Sequence, residues 1–261
     1  MFDWWRRLSG ADVLAAEFPQ EFRQLLVQRV PLVRWLGQAE RDKLEALVRI
    51  LLSEKDFEGA GGLELTEAMR VVIAARACLL VLHRVELDEP LFPDLDTIIV
   101  YPSAYRAQQV RHEGHVVIEG EQARLGESWT RGVIVLSWDA VQSGGANTQD
   151  GHDVVLHEFA HQLDGEDGVM DGTPELDSMA RYASWSSVLG AEFAALRAAV
   201  ERRRKSDIDA YGATNEPEFF AVVVEAFFEK PVFLERKHPE LYAELAAYFR
   251  FDPAELVRTA S

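Results

Sequence analysis

The sequence predicts an α+β fold that is mostly helical and carries a small mixed β-sheet over a central helix. Apolar residues recur at helical spacing through the first 65 residues, and residues 71–82 form an apolar run typical of a buried helix. Residues 97–101 and 133–138 are short β-branched runs, which favour strands. A length of 261 residues and a hydrophobic content of 48% allow one domain over residues 1–261, with a helical region over about residues 1–85.

The first predicted elements are helices whose apolar residues repeat every three to four positions. Two such faces consist of Phe22, Leu25, Leu26 and Val30, and of Leu44, Leu47, Val48 and Leu51. Residues 55–62 are rich in glycine and predict a turn or loop. Thr66 is expected to cap a buried helix that runs to about His83, where the imidazole would meet the last carbonyls of that helix.

The middle of the chain predicts the strands of the sheet. Residues 97–101, 116–118 and 133–138 are the three candidates, and residues 133–138 have the strongest strand pattern. We nominate residues 133–138 as the edge strand that pairs with an extended peptide backbone. His112 and His115 raise the alternative of a second metal site, but no further ligand cluster follows them, so a surface hairpin is favoured.

Residues 143–151 are predicted to form a loop, either a flexible lid or a plain connector, that leads into the central helix. That helix contains His157 and His161 in an H-E-x-x-H pattern among apolar residues. With 3.6 residues per turn, both imidazoles lie on one face, where they can bind one Zn²⁺. Glu158 projects beside this position, so its carboxylate can accept a proton from a water molecule.

A catalytic zinc site usually has three protein ligands, so the sequence has to provide a third. Asn215 and Pro217 predict the start of a buried helix, and Glu218 lies in its first turn. Glu225 shares the same face seven positions later. Because a carboxylate that faces a core is costly without a partner charge, we predict Glu218 as the third ligand and Glu225 as a residue that orients a ligand histidine.

Two aspartates provide an alternative to Glu218. Asp167 lies ten positions after His157, at the place of the third ligand in the pattern H-E-x-x-H-x-x-G-x-x-H or -D. This pattern requires a glycine where the chain has Asp164, so Glu218 is favoured. Asp164 is predicted to orient a ligand or to stabilise the turn after the helix.

Charge and cysteine content restrict the classes of function. The net charge of −17 argues against nucleic acid or an anionic membrane as a direct partner. Cys78, the single cysteine, lies in an apolar run and is predicted to be a core residue. The sequence begins without the apolar region of a signal peptide, and no uncharged stretch is long enough to span a bilayer. We therefore expect a cytoplasmic protein.

The metal-site motifs resemble those of one family. The pair of motifs, His157-Glu158-x-x-His161 and Tyr211-x-x-x-Asn215-Glu216-x-Glu218-Phe219-Phe220, is similar to that of the Mlc titration factor A family of zinc peptidases. The resemblance covers nearly the whole chain, including residues 133–138, the turn at Tyr101 and Pro102, and residues 238–242. At the metal site alone the chain is also similar to the catalytic domain of anthrax lethal factor, which has an acidic residue where this chain has Val222.

The resemblance implies a zincin-like metallopeptidase with one Zn²⁺ per chain, bound by His157, His161 and Glu218. It also implies that Glu158 is the general base and that Tyr211 stabilises the transition state. The implied activity is hydrolysis of peptide or protein substrates, either aminopeptidase-like or as limited proteolysis. Because the family is named for binding the transcriptional repressor Mlc, the alternative is a protein that chiefly sequesters such a repressor and so regulates sugar uptake, with secondary peptidase activity.

Overall fold

Helices make up most of the described fold, which also contains a small parallel sheet. The computed structural model describes residues 10–103, 132–146 and 151–260. The described strands are β1 (Asp56–Gly59), β2 (Thr97–Tyr101) and β3 (Val133–Ser137), in the order β1-β2-β3. The described helices are α1 (Gly10–Ala15), α2 (Gln20–Arg29), α3 (Gln38–Glu54), α4 (Glu67–Val81), α5 (Trp138–Ala146), α6 (Val154–Asp164), α7 (Met179–Glu201), α8 (Glu216–Glu229), α9 (Pro231–Lys237), α10 (Pro239–Phe249) and α11 (Pro253–Ala260).

The sheet differs from the prediction in two ways. β2 and β3 lie where strands were predicted, but β1 replaces part of the loop predicted for residues 55–62. Only one side chain of β1, Phe57, is buried, so the local sequence carries little strand signal. The described strands all pair in parallel although a mixed sheet was expected. The predicted strand at residues 116–118, like His112 and His115, lies outside the described residues.

The pairing of β2 with β3 places apolar side chains on one face of the sheet. Ile98 pairs with Ile134 and Val100 with Leu136, and all four side chains are buried. This face joins the main hydrophobic core, which also contains Cys78 as predicted. β3 forms one edge of the sheet of described strands, and its pairing with a peptide backbone stays a prediction.

Helix α4 confirms one predicted cap and corrects one predicted contact. The Thr66 hydroxyl accepts a hydrogen bond from the Met69 N–H at 3.3 Å, as expected for an N-cap. The imidazole of His83 instead lies 3.1 Å from the Glu40 carboxylate and stacks on Phe251. His83 therefore links neighbouring helices, and the predicted contact with the helix carbonyls is wrong.

Helix α5 occupies the first part of the segment that was predicted as a loop over residues 143–151. Trp138, the predicted end of the strand, is the first residue of this helix. A Cβ atom at Gly144 would lie 2.7 Å from the His152 carbonyl oxygen, so this glycine permits close packing against the chain before α6. Residues 147–150 lie outside the described part of the chain.

Helix α6 is the centre of the fold because it packs against α8, α4 and α5 and also contacts β3. Its buried face includes Phe159, whose ring meets that of Phe92 edge to face at a centroid distance of 4.8 Å. These contacts hold the H-E-x-x-H residues between β3 and α8, the helix that contains Glu218 and Glu225.

Among the described residues, no helix is both long and apolar enough to cross a membrane.

Candidate metal centre

Helix α6 presents the two histidines one turn apart on one face. Asp153 is the N-cap residue of this helix, and its carboxylate accepts hydrogen bonds from the Val155 and Leu156 N–H groups at 2.9 and 3.3 Å. The rings of His157 and His161 lie 4.9 Å apart between centroids and are nearly perpendicular, at 83°. His161 is buried and His157 is partly buried, so one imidazole edge remains accessible from the cleft.

Helix α8 brings Glu218 to the same point. The Asn215 side chain accepts a hydrogen bond from the Glu218 N–H at 2.9 Å, which confirms the predicted cap and the start of the helix. The Oε2 atom of Glu218 lies 3.0 Å from Nε2 of His157 and 3.5 Å from Nε2 of His161. Ligand atoms from all three residues lie within 4.8 Å of one another.

These three side chains fit a tetrahedral zinc ion. Ligands about 2.0 Å from such an ion lie roughly 3.3 Å from each other. The two distances to Glu218, 3.0 and 3.5 Å, lie on either side of that value. Two imidazole nitrogens and one carboxylate oxygen are also donor types that zinc prefers, and three protein ligands leave a fourth position for water or substrate.

Glu225 lies behind His157 and is seven residues after Glu218 on the same helix. Its Oε1 atom lies 2.7 Å from Nδ1 of His157, and its Oε2 atom accepts a hydrogen bond from the Asp153 N–H at 2.6 Å. A carboxylate in this place accepts a hydrogen bond from Nδ1–H, while Nε2 faces Glu218. This is the contact expected of a residue that orients a ligand histidine.

The acidic and imidazole groups shift one another's pKa values. Burial disfavours the His157 cation, but hydrogen bonds with Glu218 and Glu225 outweigh burial and raise the pKa of His157 to about 10. Burial also disfavours the Glu218 anion, yet hydrogen bonds from His157 and His161 lower its pKa to about 2. Glu218 is therefore anionic at neutral pH, as a zinc ligand has to be.

The two aspartates of the alternative ligand pattern lie elsewhere. Asp167 is exposed, and its carboxylate accepts a hydrogen bond from the Val169 N–H at 2.8 Å. Asp164 is buried at the end of α6 and accepts a hydrogen bond from the Gly172 N–H at 2.9 Å. Burial raises the pKa of Asp164 to about 6. Its observed contact is that of a turn residue, and the metal-site group found in the described ranges contains neither aspartate.

A cleft of about 490 Å³ is lined by His157, Glu158 and Tyr211. Tyr211 lies in a short 3-10 turn, Ala210–Ala213, and its ring centroid is 5.9 Å from that of His157. Burial and the Glu218 carboxylate, to which the phenol donates a hydrogen bond, raise the pKa of Tyr211 to about 12. Tyr211 is 55% exposed, so the protonated phenol is available to a molecule in the cleft.

Three further residues of the site are absent from the sequence-based prediction. Asp209 anchors the Tyr211 turn by accepting the Tyr211 N–H at 2.7 Å, and its other oxygen lies 3.3 Å from Nε2 of His152. Asp153 and Arg76 form a buried ion pair at the start of α6. Each had a local signal: an aspartate in a turn, an aspartate directly before an apolar helix, and an arginine within an apolar run.

Comparison with known proteins shows the family of the chain. The family of glucose-regulated metallo-peptidases M90 matches the chain over residues 2–250. The chain belongs to this family. Membership in a metallopeptidase family implies a metal. Among the described residues, His157, His161 and Glu218 form a group that could hold such an ion.

Individual relatives extend over nearly the whole M90 chain. An uncharacterised protein of Synechocystis sp. is 42% identical over 251 residues, which cover 95% of this chain and 90% of the relative. Proteins named Mlc titration factor A from Yersinia pestis and Yersinia pseudotuberculosis are each 31% identical over 250 residues, covering 94% of this chain and 90% of each relative. The predicted membership in the Mlc titration factor A family is confirmed.

Proposed function

We propose that the chain is a zinc-dependent peptidase, a single zincin-like domain over residues 1–261 that binds one Zn²⁺ through His157, His161 and Glu218. The observation that carries this proposal is the convergence of these three side chains, from two helices, to ligand atoms within 4.8 Å of one another. Membership in a metallopeptidase family supports it. When bound, zinc supplies Lewis acidity, which polarises a carbonyl group and makes a water molecule more acidic.

Glu158 is the proposed general base. It follows His157 on α6 and lines the cleft beside the predicted ligands. From this position its carboxylate takes a proton from the attacking water while the water oxygen forms a bond to the scissile carbonyl carbon. The same carboxyl group then gives the proton to the leaving amine, so that the C–N bond breaks and a neutral amine departs.

Tyr211 is the proposed hydrogen-bond donor to the oxyanion of the tetrahedral intermediate. The Glu218 carboxylate contributes to the raised pKa of Tyr211, which supports a hydroxyl close to the predicted ligands. A donor placed where negative charge develops stabilises the transition state more than the substrate. Asp209 holds the turn in which Tyr211 lies, so the phenol is positioned before substrate binds.

The proposed substrates are peptides or proteins that are cleaved in an aminopeptidase-like manner or by limited proteolysis. The small residues Ala140, Ser143 and Gly144 are among those that line the cleft. These residues belong to α5, which directly follows β3. A peptide that pairs with the β3 edge therefore has a short path to the proposed zinc position.

A peptide-library digest tests the proposed activity. Zinc-loaded wild-type protein is expected to cleave defined peptide bonds, and cleavage should stop after chelation and return with zinc. The matched control is Glu158→Gln, which keeps all three predicted ligands and should retain zinc while hydrolysis falls close to background. Cleavage by Glu158→Gln at the wild-type rate would exclude the proposed mechanism.

A second candidate function is sequestration of an Mlc-type transcriptional repressor, with the peptidase activity secondary. It is supported by the two Yersinia relatives that carry the name Mlc titration factor A and align over 94% of this chain. Such a partner would place the protein in the cytoplasm and connect it to sugar uptake. Purified Mlc-type repressor should be captured by both wild-type protein and Glu158→Gln, and capture by neither would exclude this function.

A further inference from the structure

A buried ion pair lies behind the metal-site helix. The guanidinium Nη1 of Arg76 is 3.2 Å from Oδ2 of Asp153, and the two side chains are only 3% and 2% exposed. Removing two charges from water is costly, and such a pair often contributes little to the free energy of folding. The pair includes Asp153, the N-cap residue of α6, which suggests a role other than stability.

Arg76 connects three other elements to the start of α6. It lies on α4, and its guanidinium donates hydrogen bonds to the Val141 carbonyl of α5 at 2.8 Å and to the Arg29 carbonyl at the end of α2 at 3.1 Å. A planar guanidinium with several fixed donors holds such a junction in one geometry. The position of Asp153 is thus set by long-range contacts in addition to its own helix cap.

Asp153 in turn contacts the metal-site residues through its backbone. Its carbonyl oxygen accepts the first helical hydrogen bond from the His157 N–H at 2.9 Å. Its own N–H donates to Oε2 of Glu225 at 2.6 Å, and Oε1 of Glu225 lies 2.7 Å from Nδ1 of His157. Two separate paths therefore run from Asp153 to His157, one to its backbone and one to its imidazole.

We propose that Arg76 and Asp153 are positioning residues for the metal site, which fix Glu225 and thereby aim Nε2 of His157 at the ion. The proposal rests on the proposed zinc site and adds two residues that contact neither ion nor substrate. Groups that orient a metal-bound histidine typically contribute about 10- to 100-fold to metal affinity. Loss of the ion pair should therefore weaken zinc binding by a factor of this size.

A second ion pair provides a matched control for an effect on stability alone. Arg181 on α7 and Glu244 on α10 lie 3.1 Å apart, and their side chains are 30% and 9% exposed, so this pair is less buried than Arg76 and Asp153. Arg181 also donates a hydrogen bond to the Glu244 carbonyl, so it too links two helices. Neither residue belongs to the metal-site group found in the described part of the chain.

The experiment measures zinc affinity and stability separately on the full chain. Metal-free wild type, Arg76→Gln, Asp153→Asn and Arg181→Gln are titrated with zinc against a chromophoric chelator, and their unfolding in urea is followed without zinc. We expect the dissociation constant for zinc to rise about 10- to 100-fold in the first two variants. Arg181→Gln should lose stability while its zinc affinity stays within about twofold of wild type.

If a single variant fails to fold, the double variant Arg76→Met/Asp153→Asn still tests the proposal. It buries no unpaired charge, and replacing both partners of a buried pair is often tolerated. The double variant should fold and still bind zinc about tenfold or more weakly than wild type. Wild-type affinity in the double variant, or an equal loss in Arg181→Gln, would overturn the positioning role. Failure of wild type itself to bind zinc would overturn the zinc proposal as well.

Discussion

At the scale of single residues, the proposed chemistry depends on a phenol that is held in a turn rather than packed in the core. Tyr211 is 55% exposed, and its backbone N–H is anchored by Asp209. Its raised pKa of about 12 keeps the hydroxyl protonated at neutral pH, so it can only donate to a developing oxyanion there. The turn therefore provides a preorganised donor at the mouth of the cleft.

Tyr211→Phe removes this donor and keeps the ring. We expect kcat to fall by about 10²–10³-fold with little change in KM, because the proposed role of the phenol is to stabilise the transition state more than the bound substrate. Zinc content should remain at the wild-type level. Tyr182→Phe is the control, since the Tyr182 hydroxyl accepts the Leu176 N–H outside the cleft. Full kcat in Tyr211→Phe would make Tyr211 a packing residue.

At the scale of elements, Gly172 lies in contact with both the end of α6, at Asp164, and the start of α8, at Glu216. Its φ of +79° favours glycine, and a Cβ atom there would lie 2.6 Å from the Glu216 carbonyl oxygen. Its N–H donates to Asp164, and its carbonyl accepts the Trp185 indole N–H at 3.1 Å. This glycine therefore lets the helix with the histidines lie against the helix with Glu218.

Gly172→Ala should destabilise the protein by about 1–3 kcal/mol, because the new side chain is strained and meets backbone atoms. Gly190→Ala is a suitable control, since Gly190 lies within α7 and a Cβ atom there would meet nothing within 4 Å. Removing a helical glycine at such a site should stabilise by about 0.5–1 kcal/mol. Urea unfolding of both variants decides the point, and equal effects would contradict the role given to Gly172.

The same elements show how far the sequence predicts the structure. The caps at Thr66 and Asn215 and the spacing of His157 and His161 are local patterns, and the structure contains each of them. The strand β1 was not predicted, because its pairing with β2 depends on residues some forty positions away rather than on its own composition. The partner of Arg76 was not predicted for the same reason, since it comes from another helix.

At the scale of the whole molecule, the half-buried carboxyl of Glu166 makes the stability depend on pH. Burial raises the pKa of Glu166 to about 7, although the charge of Arg84 opposes this shift. A carboxyl whose pKa is higher in the folded state favours folding while it is protonated. Its contribution is complete below an unfolded pKa of about 4.3 and is lost as the pH rises through about 7.

Glu166→Gln cannot ionise and should therefore be more stable than wild type above neutral pH. We expect the midpoint of thermal unfolding to be higher by a few degrees at about pH 8, and the difference to vanish near about pH 4. Thermal unfolding of the two proteins across this range measures the effect. A variant that is less stable than wild type at about pH 8 would show that the Glu166 anion is stabilised in the fold.

The central claim is that His157, His161 and Glu218, from two helices, bind one zinc ion. Zinc content per chain, measured on purified wild type, Glu218→Ala and Asp167→Ala, tests it most directly. We predict about one zinc per chain in wild type and in Asp167→Ala, and little or none in Glu218→Ala, because two histidines alone bind zinc poorly. Zinc that is retained in Glu218→Ala and lost in Asp167→Ala would contradict the claim.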